Sequence, residues 1–168
     1  DRVEVTLYNS KGRRVGKPVS TNSYASRASF TKMKDEVYTV TIQAFKTVNG
    51  KTYSTPKAKI QCFNQARIKE KTIKVKKGSL SFQWGKVGGA SGYDIYMSTK
   101  LKSGYKKVKS VGKNTTKVTI KKFKGKAINP KKTYYICVET KKKNGSKVNK
   151  SGRLYYWNTK SRSFSRVF

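Results

Sequence analysis

The sequence predicts an all-β protein made of two related β-sandwiches in tandem. Three observations carry that reading. Apolar residues alternate with polar ones in short runs, turn signals separate the runs, and the pattern repeats at an interval of about 90 to 96 residues.

The runs are taken in chain order. Val3, Val5 and Leu7 open the series, followed by Tyr38, Val40, Ile42 and Ala44. Ile73 and Val75 come next, then Leu80, Phe82 and Trp84, then Tyr93, Ile95 and Met97. Val118 and Ile120 precede Tyr134, Ile136 and Val138. Period-two alternation gives strands with one buried face. Asn49-Gly50, Gly88-Gly89, Ser91-Gly92 and Asn144-Gly145 mark the turns. Val3-x-Val5-x-Leu7 recurs as Tyr93-x-Ile95-x-Met97, and Tyr38-x-Val40-x-Ile42 as Tyr134-x-Ile136-x-Val138. One such interval is the size of a small sandwich domain.

Composition narrows the chemistry. The 168 residues hold 41 Lys plus Arg, 7 Asp plus Glu and no His, a formal net charge of +34. Leu, Ile, Val and Phe number 34, which at this charge is the border of what buries a core; 20 aromatics and only 3 Pro argue for folding. Without His, the common general base and metal ligand is missing, and the few scattered acids leave little for paired carboxylates or divalent cations. No cofactor is expected. Residues 67–168 carry 29 basic and 3 acidic side chains, a net +26 of the total. Lys outnumbers Arg 33 to 8, which suits a diffuse polyanion or solubility better than base readout, so no specific nucleic-acid reading is expected. Cys62 and Cys137 form no CxxC motif, and a disulfide between them is left open. No apolar run is long enough to span a membrane, and Asp1 begins no signal peptide, so a secreted parent implies a mature or excised segment.

Residues 67–158 resemble a fibronectin type III domain. Strand B is placed at Ser79 to Trp84, C at Gly92 to Ser98, C′ at Tyr105 to Val111, E at Lys117 to Phe123, F to about Thr140 and G near Lys147 to Asn158. Ile128-Asn129-Pro130-Lys131-Lys132-Thr133-Tyr134 resembles the family's Leu-x-Pro-x-x-x-Tyr lead-in to strand F, whose Tyr makes the tyrosine corner. The Lys-rich stretch from Trp84 to Tyr93 is similar to such modules in Gram-positive bacterial surface and secreted proteins, which implies an extracellular location. The implied fold class is all-β: two fibronectin type III-like β-sandwiches in tandem, the first lacking strands A and B. Residues 1–64 are the incomplete domain, with strands C, C′, E, F and G at 2–10, 14–20, 26–33, 37–46 and 51–62. Before Tyr38 the lead-in lacks the Pro and is one residue short. Strands A and B of this domain are expected to have been cut away or to come from a neighbouring domain or chain by β-augmentation. Residues 159–168 are read as a C-terminal tail past the last strand.

Trp84, Tyr38 and Tyr134 are assigned to structural core. The outward face of the C–C′–F–G sheet is the candidate ligand surface. If Tyr93, Ile95, Ile136 and Val138 point in, then Asp94, Tyr96, Tyr135 and Cys137 point out. Lys107 and Lys109 are expected beside them, and strand G adds Arg153, Tyr155 and Trp157, or else Leu154 and Tyr156. Such rings stack on sugars while Lys meets phosphate, sulfate or carboxylate; equally, Lys stems can cover an ordinary sheet face. Lys141, Lys142 and Lys143 in the F–G hairpin are a second polyanion contact or a solubilising turn. Cys137 lacks a base to activate it. The resulting expectation is a non-catalytic adhesion or spacer module pair. The alternatives are a module for polyanionic glycan or cell-wall polymer (teichoic acid, glycosaminoglycan, mucin glycan or nucleic acid) and an accessory region of a secreted enzyme.

Overall fold

The computed structural model describes residues 1–22, 27–31 and 33–166. The chain divides into two compact units, Asp1–Phe63 and Asn64–Phe168. Both are built of β-strands.

The first unit holds β1 (Arg2–Tyr8), β2 (Val19–Asn22), β3 (Tyr38–Val48), β4 (Lys51–Ser54) and β5 (Ala58–Cys62) in one antiparallel sheet. β1 pairs with one edge of β3, while β4 and β5 share the other. The register places Val3, Val5 and Leu7 opposite Ala44, Ile42 and Val40, with Ile60 beyond Val40, so one face is apolar. The β3–β4 hairpin turns on Asn49 and Gly50, whose φ values of 49° and 75° are the left-handed pair of a type I′ turn. The strand expected at 26–33 is not formed at residues 27–31 or 33; residues 26 and 32 lie outside the described residues. Before Tyr38, the short lead-in still closes a corner. The Tyr38 hydroxyl accepts the Lys34 amide at 2.8 Å, four residues back.

The second unit has two sheets. β6 (Lys74–Lys76), β7 (Ser79–Gln83) and β10 (Lys117–Ile120) form the first, with β7 central. β8 (Gly92–Ser98), β9 (Lys106–Gly112), β13 (Tyr135–Asn144), β15 (Tyr155–Asn158) and β16 (Ser163–Arg166) form the second in the order β16-β15-β13-β8-β9, and β14 (Lys147–Lys150) continues along β13. β11 (Lys122–Phe123) and β12 (Lys126–Ala127) make a small hairpin between the sheets' strands in sequence. Strands A, B and E in one sheet and C′, C, F and G in the other is the fibronectin type III arrangement, and this unit has it.

Alternation builds the core. Leu80, Phe82 and Trp84 from β7 and its end are buried, as are Tyr93, Ile95 and Met97 of β8 and Ile136 and Val138 of β13. Each such side chain contributes roughly 1.5–3 kcal/mol on leaving water. Trp84 meets Tyr93 edge-on across the sheets at 5.6 Å, and the Tyr93 hydroxyl accepts the Val87 amide at 2.9 Å. Tyr134 is buried against Phe123, and its hydroxyl accepts the Asn129 amide at 3.0 Å, five residues back. Gly92 is required where β8 and β9 meet: a Cβ there would stand 2.5 Å from the Val111 carbonyl oxygen.

The expected tail is corrected. β16 lies within 159–168 and pairs with β15, so the described part of that segment, through Arg166, is the sheet's outermost strand. Asn158 Oδ1 accepts the Lys160 and Ser161 amides to make the turn, and Phe164 packs edge-on against Trp157 at 4.8 Å. Residues 167 and 168 lie outside the described residues.

Candidate functional site

The outward side of the β9–β8–β13 sheet brings charges and rings together. Pairing sets Asp94, Tyr96 and Ser98 of β8 opposite Glu139, Cys137 and Tyr135 of β13. β9 adds Lys107 opposite Tyr96 and Ser110 opposite Asp94; β14 adds Lys150 opposite Lys141.

Asp94 is the hub. It is 2% exposed, accepts the Ser110 hydroxyl, and lies 2.7 Å from Lys141 Nζ, 3.6 Å from Lys150 Nζ and 4.0 Å from Lys107 Nζ. Lys150 also reaches Glu139 Oε2 at 3.5 Å. Burial acts to raise the Asp94 pKa, but the bonds from Lys141 and Ser110 and the charges of Lys141 and Lys107 outweigh it, and the carboxyl is held below its ordinary range. Burial likewise disfavours the charge on Lys150, yet Glu139 and Tyr96 beside it raise its pKa. Asp94 is therefore held as the counter-ion of these lysines.

Tyr96 is half-buried, with the Arg153 guanidinium 4.5 Å above its ring. Tyr135 is half-buried as well. Lys142 and Lys143 continue β13 into the β14 hairpin, opposite Asn149 and Val148. Tyr155 is exposed, with Arg166 at 5.8 Å from its ring.

Three positions expected on the open outer face are corrected, although Lys109 remains exposed. Trp157 pairs with inward Ile136 and is 2% exposed; it belongs to the core, because the register of strand G sends Tyr156 outward instead. Lys109 pairs with inward Ile95, since a bulge between Ile95 and Tyr96 breaks the alternation that would have set it beside Lys107. Cys137 lies on the outer side but is fully covered, and burial pushes its thiol far above the ordinary range. Cys62 is exposed, and both thiols are free.

The sequence reading missed Glu139, Lys150, Ser110 and Tyr105, and named Tyr156 only as the alternative register of strand G. Tyr105 and Tyr156 stack at 4.1 Å, and the Tyr105 hydroxyl donates to the Leu101 carbonyl at 2.8 Å. Outward parity on strands C and F was the available signal for the Asp94–Glu139 pair. Among the described residues no group of three His, Cys, Asp or Glu side chains is placed to hold a metal. No helix among them is long and apolar enough to cross a membrane.

No family model and no curated protein matches the chain. Among solved structures it is similar to the crystal structure of chicken CNTN1 FN1–FN3 domains, at 15% identity and a TM-score of 0.41, covering 98% of this chain. The chain spans 54% of the length of that one.

Proposed function

We propose that the chain is a non-catalytic pair of β-sandwich modules serving adhesion or spacing in a secreted or surface-attached bacterial protein. The observation that carries this reading is the Asp94 network: the buried carboxylates of the second unit are engaged by Lys107, Lys141 and Lys150. The Cys137 thiol is covered, and burial raises its pKa away from the reactive thiolate. The Lys-rich resemblance noted above supports the bacterial, extracellular context. For the first unit, the apolar face of its single sheet supports completion by strands A and B from a neighbouring domain or chain.

Co-sedimentation with isolated Gram-positive cell walls tests adhesion. Retention at physiological salt supports it; a protein left in the supernatant at every salt concentration overturns adhesion and leaves spacing. Turnover of any hydrolase substrate that is abolished in Glu139→Gln would overturn the non-catalytic reading. The excess of 41 basic over 7 acidic side chains favours a second reading, a module that binds polyanions such as wall polymers or glycosaminoglycans.

A further inference from the structure

We infer that the outer face of the β6–β7–β10 sheet is the surface that binds a linear polyanion, a flexible chain of sulfate or phosphate groups. The inference rests on the polyanion reading above and assigns it a place.

The register defines the face. Leu80 and Phe82 point into the core, so Ser79, Ser81 and Gln83 of β7 point out. Lys76 and Lys74 flank Ser79 and Ser81 from β6; Thr119 and Lys117 flank Ser81 and Gln83 from β10. Every residue of this face is a lysine, a hydroxyl or an amide. Lys74 and Lys76 are about 7 Å apart along the strand, and Lys117 lies about two strand spacings, ~10 Å, from the β6 row. Lys117 is opposite Gln83 while Lys74 and Lys76 are opposite Ser81 and Ser79, so it lies ~12 Å from Lys74 and ~17 Å from Lys76. Against a Debye length of ~8 Å at physiological salt, Lys74 and Lys76 act as a pair, and Lys117 is a further contact for a chain long enough to reach it.

The contrast with the other sheet decides the assignment. There, Lys107, Lys141 and Lys150 spend their charge on Asp94 and Glu139. Glu70 lies just ahead of β6, but among the described residues Lys74, Lys76 and Lys117 form no ion pair with an acid, and no acid stands among the outward residues of the three strands. Nor does any ring, so the surface has nothing to stack on a sugar or base. It offers mobile ammonium groups with hydroxyl donors between them, which read repeated charge and little else.

The test uses the full chain with two probes, heparin for sulfate and long-chain polyphosphate for phosphate, over a salt series. A variant carrying Lys74→Gln, Lys76→Gln and Lys117→Gln is compared with one carrying Lys142→Gln, Lys143→Gln and Lys147→Gln, which removes equal charge from the hairpin. Thermal unfolding checks that both fold. The first variant is expected to lose on the order of tenfold in affinity at physiological salt and to flatten the log–log salt slope by about 2, three contacts at ~0.7 each. The hairpin variant is expected to lose far less, and the tighter probe names the anionic group. Equal losses in both variants, or no loss in the first, would overturn the placement while leaving polyanion binding intact. A wild-type chain that binds neither probe at physiological salt overturns both.

Discussion

Lys141 Nζ stands 2.7 Å from Asp94 Oδ1, joining β13 to β8 on the outer side of the larger sheet. Lys150 and Lys107 close on the same carboxylate from β14 and β9, so one buried acid ties four strands. Replacing Asp94 by Asn keeps the shape and the contact to Ser110 but leaves the lysines facing one another. Removing one partner of a fully buried pair costs about 3–5 kcal/mol; these lysines are partly exposed, so the expected loss is roughly 1–2 kcal/mol. A lowered urea midpoint for the second unit checks this. An unchanged midpoint would mean that solvent already screens the network.

Stability is expected to depend on pH through the same groups. Folding lowers the Asp94 pKa from its ordinary 3.8, and Ser10's hydroxyl and amide lower that of Glu36 in the first unit from 4.5. Their contributions are complete above those ordinary values and are lost as pH falls through the depressed folded ones. Lys150 acts oppositely: its pKa is raised from 10.5, so its contribution is complete below 10.5 and fades as pH rises through the folded value. A plateau between these limits, with Asp94→Asn flattening only the acid limb of the second unit, is the expected profile. An acid limb identical in Asp94→Asn would assign the loss to other groups.

The two tyrosine corners make unequal predictions. Tyr134→Phe strips the acceptor from the Asn129 amide and is expected to cost about 1–2 kcal/mol, read from the denaturant midpoint at constant m-value. Tyr38 both accepts the Lys34 amide and donates to the Lys34 carbonyl, at 2.8 and 3.3 Å, so Tyr38→Phe removes two contacts from a unit with a smaller core. Its proportional effect on the first unit's midpoint is expected to be the larger.

The corners were legible because they are local: a Tyr that opens an alternating run, with its partner four or five residues upstream. Core parity was legible for the same reason in β7, β8 and the start of β13. Parity failed where the chain breaks step. The bulge at Ile95/Tyr96 moves Lys109 off the outer face. Between β14 and β15 the chain leaves extended geometry at Gly152, whose φ is 75°, so the alternation of Lys147–Lys150 cannot be carried on to Trp157. The Asp94 network was hidden because its members come from four strands and meet only once the register is set. The lysine face of the smaller sheet was hidden differently, since Lys74, Lys76 and Lys117 look like the chain's other lysines until acids are known to be absent beside them.

β16 is the least self-evident strand, because Ser163-Phe164-Ser165-Arg166 has a single apolar side chain to hold it. That side chain packs on Trp157 at 4.8 Å in an edge-to-face pair. Phe164→Ala is expected to cost about 0.5–1.5 kcal/mol and to shift Trp157 fluorescence to the red as water reaches the indole. An unshifted spectrum would show that backbone pairing to β15 shields Trp157 without the Phe.

The break in strand G leaves backbone groups that the sheet does not satisfy, and Gln65 supplies the partners. Its Oε1 accepts the Leu154 and Tyr155 amides at 2.9 and 3.1 Å, and its Nε2 donates to the Tyr155 carbonyl at 2.6 Å. One side chain thus stands in for a short length of neighbouring strand at the start of β15. Gln65→Met preserves length and removes all three bonds. The site is partly open, so water replaces much of what is lost and global stability should fall by no more than about 1 kcal/mol. The local effect should be plainer: amide exchange at Leu154 and Tyr155 is expected to quicken on the order of tenfold while exchange at Ile136 and Val138 is unchanged. Uniform acceleration along β13 and β15 would mean instead that Gln65 supports the whole sheet and not its frayed edge.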